Sequence, residues 1–234
     1  MKLAIMQPYF FPYIGYFQLI NAVDEFVLYD NIEFTKKGWI NRNRILVNGK
    51  DSFITIPLKN DSDYLDINRR RLAATWPKER ENILNRITEY YRKSPYFDSA
   101  YPVISSCILY EENNLFRFIL NSLVSLKEYL GIVTPFLISS TLPIDQGLKA
   151  DKKVIAICRA RKADVYINPI GGTELYQKDL FQSEGIELFF LQSHDVRYEQ
   201  FGNEFVPRLS IIDVMMFNSP GRIKEYLNRD YSLI

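Results

Sequence analysis

The sequence predicts an α/β fold built on a doubly wound, mostly parallel sheet, with a mainly helical insertion at about residues 75–131. Three observations carry this. The chain opens as strand, loop, helix and strand, the βαβ unit of a parallel sheet. Helical periodicity then fills the middle third, and the strand–helix alternation resumes beyond residue 131. A length of 234 residues with 47% hydrophobic side chains suits one core, so residues 1–234 are expected to form a single domain.

Taken in order, residues 3–6 form a short apolar run expected as a buried strand. Gln7-Pro8-Tyr9-Phe10-Phe11-Pro12-Tyr13 ends it, because two prolines forbid regular structure. After Gly15 a helical pattern covers 16–22, and a second apolar strand covers 25–29. Residues 39–47 alternate, and Asn48-Gly49 favours a tight hairpin returning through 52–57, its second strand open to joining the main sheet. Residues 59–66 read as polar loop and 67–71 as a short, extended, basic segment. Pro77 opens a helix to residue 92 with Ile83, Leu84, Ile87 and Tyr91 inward. Helices at about 101–110 and 114–130 follow, the latter closed by Gly131. Strands at 135–139, 163–168 and 186–191 then alternate with helices at 150–161 and, capped by Thr173, to about 182. Residues 197–202 are loop, and 209–217 and 220–228 are terminal helices.

Composition narrows the function classes. A net charge of +1 gives no general attraction to nucleic acid or anionic membrane. No window approaches the ~18–20 apolar residues of a membrane span, and no leader with a cleavage site is visible. Cys107 and Cys158 sit in apolar helical surroundings without metal-site spacing, and a disulfide framework is absent. A cytoplasmic protein is expected. One histidine cannot build a multi-histidine metal centre, so no metal ligand set is assigned. A magnesium ion shared between a carboxylate such as Asp30 and a substrate phosphate stays open.

Candidate site residues fall where strands should end, the carboxyl edge at which open α/β sheets bind ligands. The first such loop offers Gln7, Pro8, Tyr9, Tyr13, Gly15 and Tyr16, with rings able to line a cleft and phenols able to hydrogen-bond. Asp30 and Asn31 end the second strand. Lys36, Lys37, Arg42 and Arg44 suit phosphate oxygens, and Trp39, Asn41 and Asn43 suit a ring and its polar edges. Asn168-Pro-Ile-Gly171-Gly172 could turn backbone amides towards an anion. His194 follows the last strand, and its near-neutral ordinary pKa suits a general acid or base. Lys152 and Lys153, at a helix start, read as ordinary surface in preference to a phosphate contact. The phosphate-loop and dinucleotide glycine spacings are missing, as is the serine-hydrolase elbow.

Gln7 to Phe17, Asp30-Asn31, Trp39 to Asn43, Asn168 to Gly172 and Leu209-Ser210-Ile211-Ile212-Asp213 resemble the WbqC-like family, essentially end to end. The resemblance implies a bacterial protein of O-antigen and other surface-polysaccharide gene clusters. It implies work on a nucleotide-linked amino sugar, such as aminoacyl (glycyl) transfer to the sugar amine by a transferase or amide-forming ligase, with Asp30 or His194 removing the amine's proton. The expected partner is then a small-molecule substrate, a sugar nucleotide, and a charged tRNA stays open as donor. A weaker likeness, of fold, is to nucleotidylyltransferases and pantothenate synthetase, although Pro12-Tyr13-Ile14-Gly15-Tyr16 lacks their histidine motif. That second reading is an adenylate-forming or nucleotidyl-transferring enzyme using ATP and magnesium. The third is a non-catalytic module that binds a sugar nucleotide.

Overall fold

The apolar runs pair side by side in the computed structural model, which describes residues 1–202 and 204–234. In chain order, β1 (Lys2–Met6), α1 (Ile14–Asn21) and β2 (Glu25–Leu28) form the opening unit. A hairpin, β3 (Arg42–Val47) and β4 (Lys50–Thr55), precedes helices α2 (Trp76–Tyr91), α3 (Phe97–Leu109) and α4 (Leu115–Tyr129). The alternation resumes as β5 (Phe136–Ile138), α5 (Ala150–Arg161), β6 (Val165–Pro169), α6 (Lys178–Ser183) and β7 (Glu187–Ser193). Then come α7 (Ile211–Phe217), α8 (Pro220–Arg229) and β8 (Tyr231–Leu233).

The main sheet runs β5-β2-β1-β6-β7-β8, parallel except for β8, which lies antiparallel on β7. Strand side chains alternate between faces, so Leu3 and Ile5 enter one core layer and Ala4 the other. The first layer is covered by α5 and α6 through Ile157, Cys158 and Phe181. Helix α1, the hairpin, α2 to α4, α7 and α8 cover the second. From β1 the chain winds outward to β2 and β5, then returns to β6 on the opposite side of β1. The reversal between β1 and β6 opens a crevice at the carboxyl edge, between the loops that follow those two strands. Both cysteines are buried inside helices, and desolvation pushes their thiols up to about 11 for Cys107 and about 12 for Cys158.

Several boundaries differ from the sequence expectation, each for a local reason. The hairpin stays outside the main sheet, because Arg86 donates to Phe53 O and Ser52 Oγ, and Ser210 N–H donates to Arg44 O. Residues 67–69 coil into one 3₁₀ turn rather than extending, drawn down by Ile67 and Asn68 N–H donating to the carbonyls of Ile32 and Asp30. Helix α3 starts at Phe97 and carries Pro102 inside it. Thr173 caps no helix: Ile170–Gly172 is a separate 3₁₀ turn and α6 begins only at Lys178. Strand β8, three residues long, is too short to show a period and escaped the sequence reading.

The cleft side of the molecule is tied together at Asp213, on the first turn of α7 and fully buried. Its Oδ1 accepts from Tyr91 Oη of α2 at 2.8 Å, and its Oδ2 from Tyr198 Oη at 2.7 Å and Gln200 Nε2 at 2.6 Å. Tyr91 Oη in turn accepts from Leu46 N–H of β3 at 2.7 Å. Burial raises the Asp213 carboxyl from the ordinary 3.8 to about 6 despite those three donors. Folded protein therefore binds more protons than unfolded chain between these values, so stability at this group is full below 3.8 and falls as pH rises through 6. The displacement corresponds to roughly 3 kcal/mol. In thermal melts from pH 7 down to pH 4, the wild type should gain about that much relative to Asp213→Asn; parallel pH profiles would contradict the assignment.

Candidate functional site

At the carboxyl edge, the loop after β1 (residues 7–13) must leave a buried strand and enter α1 within seven residues. Its rings divide: Phe10 and Phe11 drop into the core and meet edge to face at 4.8 Å, with Phe11 in the left-handed region at φ 43°. Tyr9, Pro12 and Tyr13 are left facing outward onto a cleft of about 390 Å³. Asn43 Nδ2 donating to Phe10 O, Ser210 Oγ donating to Phe11 O, and Ile211 N–H donating to Pro12 O hold the loop in place.

The opposite wall is the segment that follows β7, with His194, Tyr198, Phe205 and Arg208, while Trp39 and Arg44 come from the hairpin and Ile170 from the loop after β6. The cleft therefore lies across the crevice where the sheet reverses direction. Burial lifts the Tyr9 phenol to about 12 and raises Tyr13 as well, so both rings present neutral hydroxyls. Arg44 donates from Nη1 to Asp51 at 3.1 Å and from Nη2 to Arg208 O at 3.3 Å, while its buried Nε has no partner among the described residues. His194 is exposed, its Nε2 lying 3.3 Å from Ser232 Oγ. The arrangement offers flat rings for stacking, one guanidinium and one imidazole.

The sequence candidates do not all meet there. Tyr9, Tyr13, Trp39, Asn43, Arg44 and His194 line the cleft. Tyr16 is buried, donating to Gln7 O at 2.9 Å. Gln7 is half-buried and Pro8 buried. Gly15 lies on α1, under the Tyr13 ring. Lys36, Lys37, Asn41 and Arg42 open instead onto a second pocket of about 350 Å³, with Phe34, Lys59, Asp61, Asp63 and Arg70. Arg42 and Arg44 share the outer face of β3, and Phe53 and Trp39 sit between them: Arg42 covers Phe53, Phe53 stacks on Trp39, and Arg44 covers Trp39. Asn41 Nδ2 donates to Ile56 O, a tie within the hairpin.

A third group gathers behind β2 and β6. Asp30 is buried, and its carboxylate accepts from Ser140 N–H, Ser140 Oγ and Asn68 Nδ2 at 2.6–2.9 Å. Asn31 donates to Gln146. Asn168 is buried and donates to Tyr166 Oη, with Gly172 so close to its Oδ1 that any Cβ there would collide. Gly171 faces open space. Lys153, on the first turn of α5, is 2% exposed rather than a surface lysine. Its Nζ stands 5.0 Å over the Tyr29 ring, and desolvation holds its ammonium below the usual lysine range. Arg70 and Arg208 are site-edge cations that sequence reasoning missed, and Lys153 is one that it read as surface in preference to a phosphate contact. Lys153 carried one signal, its place on the apolar side of the helix after the strand at 136–138.

The WbqC-like protein family matches residues 7–225, and the chain belongs to that family. An uncharacterized protein from Mycobacterium tuberculosis is 28% identical over 234 residues, which cover 97% of each chain. No solved structure matches the chain. Among the described residues no helix is long and apolar enough to cross a membrane, and no group of three or more His, Cys, Asp or Glu side chains is placed to hold a metal ion.

A Cβ added at Gly15 would meet the far end of the Tyr13 ring at 2.4 Å. Alanine also favours the helix by about 1 kcal/mol over glycine. Gly15→Ala is therefore expected to swing Tyr13 off α1 while the melting midpoint stays within about 4 °C of wild type. A crystal structure and a thermal melt check both halves, and a large drop in midpoint with the ring unmoved would contradict this account.

Proposed function

We propose that this member of the WbqC-like protein family is a transferase or amide-forming ligase whose cleft holds a nucleotide-linked amino sugar. The observation that carries the reading is the cleft itself, which sets Tyr9, Tyr13 and Trp39 beside Arg44 and His194. Aromatic faces stack on sugar or base rings, and the Arg44 guanidinium lining the cleft suits a phosphate oxygen. Of the two candidate bases, His194 faces the cleft, whereas the Asp30 carboxylate is engaged by three donors. Its role would be to take a proton from the sugar ammonium. The freed amine attacks the carbonyl of an activated acyl donor (glycyl is the candidate), the C–N bond forms, and the bond to the donor's leaving group breaks, that group departing with the electron pair and taking up the nitrogen's second proton. A role in surface-polysaccharide synthesis is part of the proposal.

A second reading, an enzyme that makes its own acyl adenylate from ATP and magnesium, is favoured by the separate basic pocket beside the cleft. Pyrophosphate release from ATP in the presence of magnesium and amino acids would single it out.

The main reading is tested by thermal shift with nucleotide-linked amino sugars. At a hundredfold excess over Kd the stabilisation is about 2.7 kcal/mol, or about 5–10 °C for a chain of this length. Arg44→Gln should weaken that ligand about 10- to 100-fold. His194→Asn should leave affinity intact and lower product formation by about 10²-fold or more. Full turnover in both variants would overturn the catalytic assignment, and binding without any turnover in wild type would favour a carrier.

A further inference from the structure

The second pocket is lined largely by cations and lies on the side of segment 36–44 that the cleft does not use. Five cations line it, Lys36, Lys37, Arg42, Lys59 and Arg70, against the carboxylates Asp61 and Asp63. Lys36 is paired with Asp63 at 2.6 Å, and Asp61 accepts from Ser62 N–H. The remaining cations have no carboxylate within ion-pair distance among the described residues.

Arg70 is the informative member. It is 4% exposed, lies over the Phe34 ring at 4.9 Å, and donates from Nη2 to Asp63 O at 3.2 Å. Its Nε is buried with no partner among the described residues. A guanidinium taken out of water with no carboxylate in ion-pair distance is costly, and the nearby Asp63 carboxylate is already held by Lys36. Arg42 is fixed in the same manner, by Nε donating to Gly38 O at 3.1 Å and Nη2 to Lys37 O. Backbone carbonyls thus aim two guanidinium groups before any ligand arrives, and the flexible Lys37 and Lys59 stand at the rim. Ligand affinity gains from such preorganisation.

We propose that this pocket binds a multiply charged phosphoryl anion, a phosphate or diphosphate group, with Arg70 and Arg42 as its floor. An excess of three positive charges exceeds what one carboxylate would balance, and the forked donors match phosphate oxygens. The proposal goes beyond the cleft reading and does not depend on it. A free phosphate, a free pyrophosphate and the tail of a nucleoside triphosphate share this chemistry.

Titration calorimetry of the full chain with inorganic phosphate, pyrophosphate and ATP, each against sodium chloride at equal ionic strength, separates these sources. At least one phosphoryl ligand should bind saturably with one-to-one stoichiometry, and chloride should not. Lys37→Gln with Lys59→Gln changes two exposed side chains and should weaken that ligand at least tenfold with the melting midpoint unchanged. Arg70→Gln should weaken it further, and Arg44→Gln on the cleft side should leave it as in wild type. No saturable binding, or binding that the double variant leaves unaltered, overturns the site. Loss of pyrophosphate binding with nucleotide-sugar binding retained separates this site from the cleft.

Discussion

The Asp213 carboxylate is the constraint on which the cleft depends. A buried carboxylate is expensive unless donors surround it, and its three donors come from α2 and from the segment that follows β7. Tyr91 passes the same tie on to the hairpin backbone at Leu46. Three residues earlier, Ser210 grips the loop after β1 through Phe11 O, and its own N–H holds Arg44 O. Leu209 to Asp213 therefore reaches the loop after β1, the hairpin and the segment after β7, though only Leu209 of that run lines the cleft. A motif can be diagnostic of a family because it positions other residues, without touching a ligand.

The segment from Lys36 to Arg44 divides two cavities, and position along the segment decides which guanidinium serves which, Arg42 the basic pocket and Arg44 the cleft. Asn43 turns inward to the loop after β1, while Arg42 and Arg44 point outward and lean over Phe53 and Trp39 in one stack. Each cavity receives one guanidinium whose Nε is buried and unpartnered among the described residues, Arg44 in the cleft and Arg70 in the basic pocket. Two adjoining polar cavities with separate cations suit a reaction that brings two charged substrates together. A lone ligand-storage pocket would not need the second.

Much of the fold was legible because strand and helix periods are local. The βαβ opening, the Asn48-Gly49 turn and the inward stripe of α2 all follow from short-range pattern. The 3₁₀ turn at 67–69 and β8 were not, since both are set by partners far along the chain. In the site, the placement of Tyr9, Tyr13, Trp39, Arg44 and His194 near one edge followed from the rule that βα loops share it. Lys36, Lys37 and Arg42 looked like part of the same group because sequence distance says nothing of the hairpin's two sides. Arg70 sat in a run of three arginines with nothing to mark the buried one, and Lys153 was hidden behind an equally charged neighbour.

Charge pairing differs between the two edges of the sheet, and the difference bears on where function lies. At the amino edge, Arg161 grips Glu25 with two bonds of 2.8 and 2.7 Å, and the terminal amine pairs with Asp164. These groups satisfy one another and leave no charge to offer. At the carboxyl edge, Arg70 and Lys153 are buried without an ion pair among the described residues, and Arg44 keeps one buried N–H free. A protein selected for stability alone would pair or remove such cations, because each one burdens the folded state. Burying cations without an ion pair on this edge is the pattern expected of a surface that waits for anionic substrates.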